Sequence, residues 1–140
     1  IFEIQQNSDT TYRVFDWNRV GLDGKPRELH IPQSLASIDF KDFEPPLESR
    51  DTIKRGDATV RTAAKCSLFT VEQISLASGK STPLVPGTMH ILGVISGVVT
   101  VESVGTKLPL EPGEFALVPA SVVAEVRAGT DASFLRAEAG

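Results

Sequence analysis

A chain of 140 residues, 41% hydrophobic and 23% charged, is long enough to bury one core and short for two. Its net charge of -4 offers no basic face for phosphate backbones, so a nucleic-acid partner is not expected. No apolar run approaches the ~18 residues that a membrane-spanning helix needs, and a single cysteine cannot close an internal disulfide, so a soluble, cytoplasmic protein without a membrane partner is expected.

The chain opens on Ile1-Phe-Glu-Ile, which has neither the initiator Met nor the pattern of a leader and reads as part of a longer protein. Residues 1–6 alternate as a strand, Asn7-Ser-Asp9 is suited to a turn, and residues 10–17 are rich in β-branched and aromatic side chains. Strand, turn, strand is the expectation, with Arg13, Phe15 and Trp17 on one face of the second strand. Such a return could bring Arg13 alongside Glu3 and Gln5. A guanidinium beside a carboxylate either forms an ion pair or shares an anionic ligand with its neighbours.

Leu22-Asp-Gly-Lys25 reads as a turn, and Pro32 at a first helical position with Ile31, Leu35 and Ile38 on one face predicts a short amphipathic helix over 32–38. His30, just before it, reads as a capping or packing residue. Residues 39–56 mix charges with Pro45 and Pro46 and read as an extended, solvated connector. Residues 59–78 alternate as two or more strands. Cys66 is placed within one of them, packed and inert. Gly79-Lys-Ser-Thr82 imitates the end of a phosphate-binding loop but lacks the earlier glycine, and so reads as a hairpin turn.

Residues 88–119 carry the clearest rhythm, with Ile91, Val94, Val98 and Val101 set among Gly93, Gly97 and Gly105, then a Pro112-Gly113 turn and the apolar run 115–118. Further strands are expected over 121–126 and 132–137. The sequence of glycine-rich strand, Pro-Gly turn, apolar strand and Pro119 resembles the second half of a cupin barrel. Metal-binding cupins carry His-x-His and a further His there. Here His90 stands alone, Leu92 takes the place of the second His, and Val122 and Val123 follow Pro119, so an apolar interior without metal is the expectation.

The text from Glu3 through Ser8-Asp-Thr-Thr-Tyr-Arg13-Val-Phe-Asp-Trp-Asn-Arg19 to His30 resembles the C-terminal part of short bacterial type I mannose-6-phosphate isomerases. Those enzymes interconvert mannose 6-phosphate and fructose 6-phosphate by moving a proton between C1 and C2 of the opened sugar. The resemblance implies that Arg13 stabilises the enediolate or takes part in the transfer, that Asp9 serves ring opening or a proton relay, and that Glu3 lines the same cleft. It also implies a zinc ion in the full-length enzyme, held by a Gln, a Glu and two His that fall upstream of Ile1. No metal is therefore expected on this chain, which alone should be inactive.

The fold expectation is mainly all-β. Residues 1–20 would end a catalytic cupin domain as a leftover β-hairpin, 21–57 would supply a helix and connector, and 58–140 would form a cupin-like antiparallel barrel or jelly roll. Two other readings stand beside the enzyme fragment: a binding module holding a sugar in the mouth of a metal-free barrel, and a structural module that buttresses or dimerises. Homo-oligomerisation is possible under any of the three.

Overall fold

The computed structural model describes residues 2–4, 10–42 and 50–139. Contacts within the chain group it into two units, Ile1–Pro45 and Pro46–Gly140.

The second unit is built from ten strands: β1 (Ile53–Arg55), β2 (Ala58–Lys65), β3 (Phe69–Leu76), β4 (Ser81–Leu84), β5 (His90–Ser96), β6 (Val99–Ser103), β7 (Thr106–Leu110), β8 (Phe115–Val118), β9 (Ala124–Ala128) and β10 (Ala132–Ala139). Six of them form one antiparallel sheet in the order β1-β2-β3-β10-β5-β8, and four form another in the order β4-β9-β6-β7. Among the described residues no pairing joins the two sheets. The expected cupin-like β architecture is present, as a sandwich whose sheets do not close into a barrel.

The rhythm of residues 88–119 resolves into β5 to β8, and its glycines sit where the backbone turns left-handed. Gly105 has φ 73° in the tight β6–β7 turn, and Gly113 has φ 90° between β7 and β8. There the Glu114 N–H donates to Glu111 O (3.0 Å) and the Glu111 N–H donates to Glu114 Oε2 (2.8 Å). Gly97, φ 72°, carries the chain from β5 to β6 so close to the start of β10 that a Cβ would lie 2.2 Å from Asp131 O.

Alternation along the strands fills the interior. Ile74, Val94, Phe134, Val99 and Val126 are all nearly inaccessible, and together with Leu84, Leu92 and Leu110 they belong to one apolar cluster. Strand β10 lies near the middle of its sheet. Its Phe134 sits opposite Ile74 and Val94, Arg136 opposite Glu72 and Leu92, and Glu138 opposite Thr70 and His90. Because inward positions recur every second residue, the interior passes from apolar to charged within four residues of one strand. The expected wholly apolar interior is thereby corrected.

Three smaller expectations change. Cys66 is exposed, in the turn between β2 and β3, where its Sγ accepts from the Leu68 N–H at 3.4 Å. The 79–82 segment does turn, with Gly79 at φ 76°, but it carries the chain from β3 to β4 in the other sheet instead of closing a hairpin. The connector holds the short strand β1, while its residues 43–49 lie outside the described residues.

In the first unit the helix is found as α1 (Ile31–Ser37), with His30 at its N-cap and Pro32 in its first turn. Its apolar stripe is half exposed, Ile31 at 40% and Leu35 at 50%, and its buried residue is Ser34. Residues 10–17 form no strand. The backbone instead reverses at Asp16–Arg19, with Trp17 and Asn18 at φ 49° and 54° and the Arg19 N–H bonded to Asp16 O at 2.9 Å. Strand-prone side chains make a strand only where a neighbouring backbone completes the ladder. No helix among the described residues is long and apolar enough to cross a membrane.

Candidate functional site

Arg13 is fixed through its backbone. Its N–H donates to His30 Nδ1 (3.2 Å), and its carbonyl accepts from the His30 N–H (2.7 Å). The Tyr12 and His30 rings lie 6.1 Å apart, centre to centre. Three residues on, the Asp16 carboxylate accepts from Arg27 through both oxygens, the Nε contact at 2.7 Å. That bidentate hydrogen bond holds the Asp16 carboxyl below its ordinary range, and the same bond holds Arg27 more firmly protonated. A further bridge pairs Val20 with Pro26.

The residues that return alongside 13–20 are 26–30, while the expected turn at 7–9 and much of the expected partner strand over 1–6 lie outside the described residues. Among the described residues no hydrogen bond or ion pair joins Arg13 to Glu3, and Asp9 and Gln5 lie outside the described residues. His30 is at the helix start as expected, but its ring accepts from the Arg13 backbone and does not cap α1.

The zinc implied by the family resemblance finds no home among these side chains. Among the described residues no three His, Cys, Asp or Glu groups are placed to hold a metal ion. One nitrogen of each histidine is bonded, His30 Nδ1 as above and His90 Nε2 at 2.8 Å from Val85 O. A carbonyl oxygen only accepts, so Nε2 carries the proton and is closed to metal.

A second constellation, which no motif in the sequence announces, lies inside the sandwich. Glu72, 7% exposed, accepts two hydrogen bonds from Arg55 (both 2.9 Å) and one from Arg136 Nη2 (2.5 Å). Burial pushes the Glu72 carboxyl up, but the Arg55 hydrogen bonds and the Arg136 charge more than offset it and leave the carboxyl below its ordinary value. Glu138 Oε2 lies 3.8 Å from Arg136 Nη2 and 3.4 Å from His90 Nδ1. Arg55, Glu72, Arg136 and Glu138 border a cavity of about 500 Å³ whose wall also includes Thr82, Val85 and Thr88. The signal in the sequence was parity: Glu72 falls in step with Ile74 and Leu76, and Arg136 with Phe134, so both share the faces those side chains bury.

No protein-family model matches the chain. Mannose-6-phosphate isomerase ManA of Bacillus subtilis is 32% identical over 120 residues, which is 84% of this chain and 36% of ManA. A mannose-6-phosphate isomerase of Streptococcus mutans is 57% identical over 35 residues, 25% of this chain and 11% of that protein. The chain spans little more than a third, 36% to 38%, of the length of its Bacillus subtilis relatives. In structure it matches the mannose 6-phosphate isomerase of Bacillus subtilis with a TM-score of 0.76 at 23% identity, over 94% of this chain and 41% of the other. A cupin superfamily protein of Desulfitobacterium hafniense gives a TM-score of 0.55 at 15% identity, over 62% of this chain and 81% of that one. The chain is similar in sequence to the C-terminal portion of mannose-6-phosphate isomerases, and its fold is of the cupin type.

Proposed function

We propose that the chain is the C-terminal part of a zinc-dependent mannose-6-phosphate isomerase acting on mannose 6-phosphate and fructose 6-phosphate. On this reading residues 1–20 end the catalytic cupin domain, 21–57 connect, and 58–140 form the metal-free C-terminal cupin unit. The observation that carries the reading is 32% identity sustained over 84% of the chain with an enzyme of that name.

Arg13 supplies the chemistry this chain contributes. As the proton moves between C1 and C2, negative charge grows on the enediolate oxygens, and a guanidinium that stays protonated is a poor base but a preorganised partner for it. The reciprocal backbone bonds between Arg13 and His30 support a fixed position for that side chain. Asp9 and Glu3 belong to the same cleft, Asp9 serving ring opening or proton relay. Zinc, when bound to the full-length enzyme, polarises the substrate oxygens, and its ligands come from residues outside this chain.

The isolated chain is therefore expected to show no isomerisation of mannose 6-phosphate. In the full-length enzyme, Arg13→Ala should lower kcat by about 10²–10³-fold, with partial recovery in Arg13→Lys. A coupled assay for fructose 6-phosphate decides it. Turnover by the chain alone, or an Arg13→Ala enzyme of undiminished kcat, overturns the proposal.

A further inference from the structure

We infer that the charged end of the sandwich is a binding site for a small, uncharged polyhydroxylated molecule. The site lies in the second unit and does not rest on the isomerase reading. Three observations carry it. The cavity of about 500 Å³ falls in the size range of small-molecule pockets, roughly 300–1,000 Å³, and its wall mixes the hydroxyls of Thr82 and Thr88 with Pro83 and Val85.

Its charges are balanced. Arg55 and Arg136 face Glu72 and Glu138, and Glu72 is already committed to both guanidiniums. An anion entering here would have to compete with Glu72 for the arginines and would meet Glu138 besides. A neutral hydroxyl compound meets no such opposition.

The third observation is hydrogen-bonding capacity left over in a buried place. Arg136 lines the cavity and is only 6% exposed, yet its Nε is buried without a hydrogen-bond partner. A hydroxyl is both donor and acceptor. One face of a polyol can accept from Arg136 Nε–H while its O–H groups donate to Glu138, a combination that neither a carboxylate nor a hydrocarbon provides.

The test is a titration of the full chain followed through the Nε–H resonances of its arginines in ¹H–¹⁵N spectra, with Arg136 assigned by its disappearance in Arg136→Lys. D-mannose, D-fructose and myo-inositol serve as uncharged probes and inorganic phosphate as the anionic one. Saturable movement of the Arg136 signal with at least one polyol, and none with phosphate, is expected. Glu138→Gln and Thr88→Val, each close to the native shape, should weaken that binding, Glu138→Gln by about tenfold, the loss of a hydrogen bond to a charged group. Movement with phosphate alone, no saturable movement with any polyol, or equal affinity in both variants overturns the inference. The readout involves no turnover, so its failure is distinct from failure of the isomerase reading.

Discussion

The buried apolar cluster runs from Ala58 to Phe134 and lies wholly in the sandwich, whereas residues 10–42 leave Trp17 73% exposed and Phe40 67% exposed and bury only Ser34. The sandwich is held by apolar surface removed from water, a force shared among many side chains at once. Residues 10–30 are held by a few directed polar contacts, Arg13 with His30, which is half-buried, and Asp16 with Arg27, which is open to solvent. Contacts of that second kind set local shape more than they resist unfolding, because water competes for the same partners. The proposed catalytic arginine thus sits on the weakly held segment, and the unassigned cavity on the strongly held one.

Substitutions can break the contrast from the sandwich side first. Phe134→Ala empties the centre of the core and should cost about 3–5 kcal/mol in urea denaturation, the largest loss expected from any single change in the chain. Gly97→Ala should cost ~2 kcal/mol or more, since an L side chain resists the left-handed backbone and its Cβ would press on Asp131 O. If either change left the midpoint untouched, the sandwich would not be the cooperative unit described.

Acid should loosen the charged end. The Glu72 carboxyl is held below its ordinary value near 4.5, so its contribution to stability is complete above that pH and is lost as pH falls through the lower folded value. Urea midpoints should therefore decline below about pH 4.5, and Glu72→Gln should flatten the decline while lowering the plateau above it. The smallest effect belongs to the first unit. His30→Ala should leave the global midpoint unchanged while speeding hydrogen exchange at the Arg13 amide, and native exchange should be faster over 10–30 than in β3 and β10. Equal protection in the two regions would dissolve the distinction.

The sandwich was largely legible in the sequence because its turns depend on a backbone conformation that glycine adopts most readily. Gly97, Gly105 and Gly113 are each left-handed, and the strands between them follow. Cys66 was misplaced because Ser67 is a weak turn signal, so the run from β2 into β3 reads as unbroken. Residues 10–17 mislead in the opposite sense: β-branched and aromatic residues favour a strand only where a ladder exists to join, and the contacts with 26–30 are too few to make one. As for the candidate sites, Arg13, Asp9 and Glu3 stand out as a polar cluster on the strand pattern, and the family resemblance supplies the role of each. Glu72 and Arg136 escape a first reading because charges on strands are habitually assigned to the solvent face, although their parity with Ile74 and Phe134 places them inward.

Strand β10 places Phe134 and Arg136 two residues apart on the same face. The plug that seals the oily half of the molecule and the cation that shapes its wet half therefore share a single backbone rail. A change at 136 therefore reaches both halves at once, since that cation also holds the buried Glu72 carboxylate.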